Sequence, residues 1–507
     1  MTSRREFLGM AAAFGGARLF AAVPGSCLKG EPNLRFGVLS DLHIQVMTGD
    51  RGYCGGPEAF EHTLRYFDSR KVDAVMIAGD LSDLGLGDEL VLVGKTWDKV
   101  FPNDRAADGR KVEKLFITGN HESGVFQWNG NLARMRKRFA DDAALRRQLL
   151  RCDFAGWWEK AFHEPYERFY HRNVKGYDFL CAHWDDGTPL DGRPLEDYHG
   201  EASRETFGVE LKAWLAANGA KIDPKKPFFY QQHRALWKSN FGDWAWGHDK
   251  GLATEVLKAW PNAVAFAGDT HYSLTDERAI WQGPFTSLCT SSLRYSGTPY
   301  DSRGEASFEN TPAKYAFRAR YDGLKTMGDY DPADSKQGMV VSVYDNCLVI
   351  ERREFVDDQP TGDDWVVPFG SDTPFAFEPR AKAAKAPEFA AGAKLVLSRV
   401  KAKTRGDAKT PATVKDAVRL AIPATELKAG RSRCIEYLVT AVGADGKTAD
   451  FHVLAEGFDR HPRHKRARGE TPFTVSLDRL PKNTIRFDVY PLDCWWNRGA
   501  PLKVDFA

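Results

Sequence analysis

Apolar runs that stop abruptly at acidic, amide or imidazole side chains recur along the first part of the chain. "LRFGVLSDLH" runs into Asp41 and His43, "VDAVMIAGDLSD" into Asp80 and Asp83, and "VEKLFITGNHE" into Asn120, His121 and Glu122. Short apolar runs bounded by Gly and Asp read as buried strands. The step from Asp41 to Asp80 is 39 residues and from Asp80 to Asn120 it is 40. That spacing suits a strand, a crossover helix and a parallel return strand. The first crossover, "GPEAFEHTLRYFDSRKVDAV", carries Phe60, Leu64 and Phe67 at helical spacing.

Residues 123–176 predict a mostly helical insertion. The strands "YDFLCAHW" and "KPFFYQQH" follow, the latter ending in His233. "NAVAFAGDTHYSL" is a further strand, ending in Asp269 and His271. In extended backbone, residues i and i+2 share a face, so those two side chains are expected to converge if the chain stays extended past Gly268. "GMVVSVYDNCLVIERREF" alternates about Asp345-Asn346, a hairpin signal. The Ala/Pro/Lys-rich stretch 371–390 reads as a linker. From 391 to 507, short alternating runs with Gly, Pro and Asp turns predict an all-β, Ig-like sandwich. No internal repeat is visible.

The chain has 507 residues, 42% hydrophobic and 28% charged, which fits a folded protein of two or three domains. A net charge of +2 gives no global field for nucleic acid or an anionic membrane. The 14 Trp and 32 Phe concentrate around 154–184 and 237–281, as core or as pocket wall. At the N-terminus, "SRREFLGMAAAFGGARLFAA" sets Arg4 and Arg5 before Phe7-Leu8 and a weakly apolar run. This is similar to a twin-arginine export signal over residues 1–30 and implies an extracytoplasmic, periplasmic location. No other segment is apolar enough for a membrane span. None of the eight cysteines forms a Cys-x-x-Cys pair, which argues against a zinc ribbon. Cys434 and Cys494 could pair in an oxidising compartment.

The strand-end residues form one ordered set: Asp41-x-His43, Asp80-x-x-Asp83, Asn120-His121-Glu122, His233 and Asp269-x-His271. Taken singly, the aspartates are ordinary helix or turn caps and His233 an ordinary structural histidine. Carboxylate, imidazole and amide donors suit Mn, Fe or Zn rather than a soft-metal site. They are too many for one ion. Two ions ~4 Å apart that share a carboxylate would use them all.

The set resembles the calcineurin-like metallophosphoesterases, in order and strand context, over roughly residues 34–300. The five blocks together are specific, though each alone is weak. The resemblance implies an αββα sandwich over 31–370, followed by the β-sandwich at 391–507. It implies a phosphoric ester hydrolase that attacks a mono- or diester with a metal-bound hydroxide. The expected substrate is a phosphorylated small molecule or surface polymer, with no extensive nucleic-acid interface.

The resemblance implies roles position by position. Asp41, His43 and His271 hold the first ion, Asp80 bridges, and Asn120 and His233 hold the second. His121 faces the phosphoryl oxygen or the leaving group, while Asp83 orients His121 and favours its protonated form. One position departs: family members usually carry His-x-His where Asp269 stands. Asp269 is then a substitute ligand, a partner of a ligand with water in its place, or the mark of a crippled second site. A ligand there would favour harder cations, and Asp269→His is expected to retain activity with altered metal preference. The alternative from another class is a surface- or carbohydrate-binding protein with a degenerate phosphoesterase domain.

Other features have bland readings beside functional ones. His183 lines a pocket or is packed, and His248 lies in a surface loop. Glu122 holds its loop rather than a metal. The arginines of "LARMRKRFADDAALRRQLLR" either draw in an anion or form a solvated face. "FAGWWEKAFHEPYERFYH" is a lid or packs on the core. "HPRHKRAR" binds a polyanion or is a hairpin loop.

Overall fold

The computed structural model describes residues 30–46, 57–124, 130–184, 190, 192–197, 206–245, 247–297, 308–310, 335–370, 372–404, 411–427, 431–458 and 469–506. In chain order the strands of the first unit are β1 (Leu34–Leu39), β2 (Ala74–Ala78), β3 (Glu113–Ile117), β4 (Phe169–Val174), β5 (Tyr177–Ala182), β6 (Phe228–Gln231) and β7 (Ala263–Ala267). There follow β8 (Ile280–Gln282), β9 (Thr286–Cys289), β10 (Gln337–Val343), β11 (Cys347–Glu354), β12 (Gln359–Pro360) and β13 (Trp365–Pro368). They form two sheets. One has the order β12-β11-β10-β1-β2-β3, with β13 also on β11; the other is β4-β5-β6-β7-β9-β8.

The helices are α1 (Glu58–Ser69), α2 (Gly87–Val100), α3 (Asn120–Ser123), α4 (Asn131–Arg138), α5 (Asp142–Gln148), α6 (Phe154–Phe162), α7 (Thr206–Asn218), α8 (Leu252–Leu257) and α9 (Phe377–Ala383). α1 and α2 make the crossovers between β1, β2 and β3, which run parallel as the spacing predicts. β2 ("AVMIA") and β7 ("AVAFA") are buried at every position, because central parallel strands are covered on both faces.

Three apolar layers result. Between the sheets, the Phe36 ring meets Phe179, Phe229 and Phe266 edge-on at 5.2, 4.8 and 5.9 Å. Truncating it to Ala is expected to cost about 3–5 kcal/mol. Outside the first sheet, Phe60, Leu64 and Phe67 of α1 share a cluster with Leu90, Val93 and Trp97 of α2 and Trp158 and Phe162 of α6. Outside the second, Phe207, Leu211 and Leu215 of α7 and Ala253 and Leu257 of α8 pack on Leu180, Tyr230 and Ala265. This is the αββα sandwich that the resemblance implies.

The helical insertion holds α4, α5 and α6 but ends in β4, which hairpins onto β5. The turn is Lys175-Gly176, both with positive φ (50° and 83°), the backbone that a two-residue hairpin requires. Trp158 and Phe162 are buried, so the aromatic stretch packs on the core. The insertion's arginines engage locally: Arg136 with Asp142 and Glu196, Arg146 with the Arg193 carbonyl, Arg151 with the Ser123 carbonyl. "HPRHKRAR" and the N-terminal signal segment lie outside the described residues.

The stretch that reads as a linker contains α9. Arg380 on this helix reaches Glu277 and the carbonyls of Glu277 and Ile280, and the Phe377 ring meets Trp495 at 5.3 Å. Composition suggested a spacer; the Ala, Lys and Arg there equally permit a helix once Arg380 and Phe377 have partners.

The C-terminal strands are β14 (Glu388–Phe389), β15 (Val396–Lys403), β16 (Val414–Pro423), β17 (Thr425–Glu426), β18 (Glu436–Gly443), β19 (Thr448–Leu454), β20 (Glu470–Ser476), β21 (Thr484–Leu492) and β22 (Leu502–Asp505). They form separate sheets, β14-β17, β15-β16-β20 and β19-β18-β21-β22, all antiparallel. Val418, Leu420, Tyr437, Val439, Phe451, Phe473, Phe487 and Val489 make the core that the two larger sheets share. Cys434 buries its thiol in that core, and Cys494 in a different cluster with Phe308, Ile435, Leu454 and Phe458. Both are free thiols, so the pairing considered from sequence is not formed.

Candidate metal centre

The ligand-type residues sit just past the carboxyl ends of β1, β2, β3, β6 and β7, where open α/β sheets gather ligands. Asp41, His43, Asp80, Asp269 and His271 all have φ between 45° and 63°. Tight left-handed turns, not continued strand, therefore aim these side chains. The condition of extended backbone past Gly268 is not met: the chain turns, with Thr270 N donating to Gly268 O at 2.7 Å. The consequence is that Asp269 and His271 diverge to opposite halves of the site. Such turns cost local strain that packing must offset. Gly79 shows the crowding: φ is +94°, and a Cβ there would lie 2.3 Å from His233 Nδ1.

In one half, Asp41 Oδ1 lies 2.9 Å from His271 Nε2 and 3.8 Å from His43 Nε2. The two Nε2 atoms are 3.2 Å apart, and Asp80 Oδ2 is 3.6 Å from His43 Nε2. Ligand-type atoms of Asp41, His43, Asp80 and His271 all lie within 4.8 Å of one another. In the other half, His233 Nε2 has Asn120 Oδ1 at 2.9 Å, Asp80 Oδ1 at 3.2 Å and Asp269 Oδ1 at 3.7 Å. Asp80 thus offers one oxygen to each half.

The far nitrogens fix the rings. His233 Nδ1 donates to Ala78 O at 2.7 Å, His271 Nδ1 to Tyr295 O at 2.9 Å and His121 Nδ1 to Asp83 O at 2.7 Å. A histidine that donates at Nδ1 keeps an Nε2 lone pair for a cation.

Burial alone would raise the Asp41 carboxyl, but His271 and His43 reverse this and hold it well below the usual range. Burial would likewise lower His43 and His233. Asp41, Asp83 and Asp80 around the first, and Asp80, Asp41 and Asp269 around the second, lift each to about 10. Asp41 Oδ1 is buried with no hydrogen-bond partner. A buried carboxylate held ionised among inward-facing imidazole nitrogens makes a cluster suited to a cation. The donors are oxygen and nitrogen atoms, and the cluster is suited to a dinuclear metal site.

The sequence model of the calcineurin-like phosphoesterases matches residues 34–273. The chain carries a calcineurin-like phosphoesterase domain. A dimetal phosphatase of Danio rerio resembles it at 13% identity and a TM-score of 0.37, over 67% of this chain and all of that one. A purple acid phosphatase from yellow lupin (Lupinus luteus) seeds does so at 16% identity and a TM-score of 0.33, over 67% of this chain and 55% of that one. No curated protein matches the chain in sequence.

Within the phosphoesterase domain, His121 stands beside the shared carboxylate, its Nε2 3.8 Å from Asp80 Oδ2. The expected pairing with Asp83 takes another form. Asp83 holds His121 through its backbone carbonyl, while its carboxylate lies 3.3 Å from His43 Nδ1 and 3.8 Å from His121 Nδ1 and accepts from Gln45 at 2.8 Å. Burial lowers His121 below its ordinary value despite Asp80 and Asp83, with His43 adding to the fall. Asp83 therefore orients His121 without making it basic.

Glu122 accepts from Gly119 N, Ser82 N and Ser82 Oγ at 2.5, 2.6 and 2.9 Å, a loop holder as expected; burial lifts it to about 7. His183 is packed, its Nδ1 accepting from Thr118 N at 3.0 Å; burial pushes it down to about 3. His248 stacks on Trp237 at 5.4 Å and donates to Asp249 O.

Three contributors escaped the sequence reading. Gln45 steers Asp83. Tyr295 orients His271 and lies 4.2 Å from its ring. Arg234 pairs with Asp269 at 2.8 Å. Only Arg234 left a signal, as a cation directly after a strand-end histidine in "QQHRAL".

Proposed function

We propose that this protein is an exported, metal-dependent phosphoesterase acting on a phosphate mono- or diester. One observation carries the reading: Asp41, His43, Asp80 and His271 converge, buried, with ligand-type atoms within 4.8 Å of one another. Asp41, His43 and His271 would hold one divalent ion, Asn120, His233 and Asp269 a second, and Asp80 would serve both. Two such ions would supply Lewis-acid stabilisation of the phosphoryl oxygens and a nucleophile at neutral pH.

The chain's own residues do the remaining work. The carbonyls of Ala78 and Tyr295 fix the rings of His233 and His271. His121, held at Nδ1, presents Nε2 beside Asp80. A phosphate ester brings negative charge to that nitrogen and favours a proton there. The proton can pass to the departing oxygen, so His121 is the general acid.

The test is hydrolysis of aryl phosphate mono- and diesters by metal-loaded wild type and Asp80→Asn, with metal content measured on both. Wild type holding two ions per chain and losing activity in Asp80→Asn is the expected result. Equal activity in the two proteins overturns the mechanism. Absence of metal after Mn supplementation favours the binding-protein alternative instead.

Export rests on Arg4-Arg5 before Phe7-Leu8. Among the described residues no helix is long and apolar enough to cross a membrane. Replacing both arginines by lysine should hold the protein in the cytoplasm, as read by cell fractionation. Unchanged export excludes the twin-arginine route.

A further inference from the structure

Asp269 stands in the second half of the centre with its two oxygens in different company. Oδ1 faces His233 Nε2 at 3.7 Å. Oδ2 accepts from Arg234 Nη1 at 2.8 Å, and both side chains are about 3% exposed. The guanidinium is held in turn by Gly247 O at 3.3 Å and by the Trp184 ring, 4.8 Å from its centroid. Gly247, at φ +71°, gives the pair its room: a Cβ there would lie 2.0 Å from Asp269 Oδ2 and 2.3 Å from Arg234 Nη1. A guanidinium so fixed engages one carboxylate oxygen and leaves the other free.

We propose that Arg234 is a positioning residue for the second ion. It occupies Oδ2 of Asp269, leaves Oδ1 as a single ligand atom, and cancels the carboxylate charge so that the pair is neutral, as an imidazole would be. This rests on the dimetal reading above. It also revises the expectation for Asp269→His. With Arg234 kept, that variant takes the balancing carboxylate from a buried guanidinium beside a dication, and the second ion should bind more weakly.

The test is Mn binding to the metal-stripped full chain, by calorimetry and by metal analysis of the desalted protein. Wild type should take up two ions. Arg234→Met should keep the first and weaken the second by about 10–100-fold, the usual effect of removing a group that orients a metal ligand. Arg234→Met/Asp269→His should regain the second ion, because a neutral imidazole needs no partner charge. Gly247→Ala, which removes no charge but forces the pair apart, should weaken the second ion alone, and it serves if Arg234→Met fails to fold.

Wild-type affinity for the second ion in Arg234→Met or in Gly247→Ala overturns the proposal while the dimetal reading stands. So does a double variant no better than Arg234→Met. Fewer than two ions on wild type brings down both.

Discussion

At the metal centre, Asp269 pairs with Arg234, while Asp41, Asp80 and Asp83 lie against histidines. At the junction with the C-terminal unit, Glu277 lies between Arg352 and Arg380 at 3.0 and 2.6 Å, and Asp276 grips Arg278 at 2.6 Å. Both regions take charge out of water, and they balance it in opposite ways. At the junction the Glu277 carboxylate is matched: both its oxygens accept from a guanidinium, and Trp365 Nε1 adds a further bond at 3.1 Å, although Arg278 Nη1 and Arg433 Nη1 are buried without hydrogen-bond partners. At the centre the carboxylates of Asp41 and Asp80 face histidines, which can exchange a proton for a cation. Carboxylates met by fixed guanidiniums make a structural device, whereas carboxylates met by imidazoles make a candidate binding site.

The largest effect should come from Asp80, the only carboxylate that touches both halves of the centre among the described residues. Asp80→Asn should reduce ester hydrolysis beyond the ~10–100-fold that loss of a supporting group costs, and should lower metal content. No neutralisation at the junction should do either. His121→Asn comes next. It should cut kcat about 10²–10⁴-fold while two ions remain bound, because His121 handles a proton and is no ligand. Loss of metal in His121→Asn would place it among the ligands, as its position near His43 and Asp83 permits.

Metal addition separates the two regions without mutation. Saturating Mn, at about a hundred times its dissociation constant, should stabilise the fold by about 2.7 kcal/mol per ion, and a chelator should reverse it. The thermal midpoint of wild type should rise, and that of Asp80→Asn should rise less. Arg380→Met should lower the baseline yet keep the full metal-induced shift.

The residues that gather at the centre were legible because they follow strand ends, and strand ends announce themselves as apolar runs stopped by Ser-Asp, Gly-Asp, Gly-Asn or Gln-His. The parallel β1-β2-β3 order with its crossover helices followed from the 39- and 40-residue steps between them, whereas the αββα sandwich came from the family resemblance. The direction each side chain takes was not legible. It depends on left-handed backbone at Asp41, His43, Asp80, Asp269 and His271, which non-glycine residues adopt only when packing compels it. Partners distant in sequence were also hidden: Gln45 for Asp83, and Tyr295 for His271. The helix inside the stretch 371–390 was not legible, because the charges it meets come from separate stretches, around Glu277, Arg352 and Arg433, and none is unusual alone. Arg433 joins by donating to Thr361 O at 2.8 Å.

The smallest effect tests the junction's self-sufficiency by pH. Burial would raise the Glu277 carboxyl, but Arg352 and Arg380 with Trp365 bring it down to about 2 from an ordinary 4.5. A depressed carboxyl contributes stability above its unfolded value and loses it as pH falls through its folded value. The contribution should therefore be whole above about pH 4.5 and fade between there and about pH 2. The Glu277 side chain keeps 39% of its surface in solvent, which screens the pairs. Glu277→Gln should then cost only about 1–2 kcal/mol at neutral pH. Thermal midpoints of wild type and Glu277→Gln should differ at pH 6 and draw together as pH falls, with Mn absent so that the centre does not contribute. If the gap persists at the acid end, packing rather than charge holds the junction, and its contrast with the metal centre is one of shape instead.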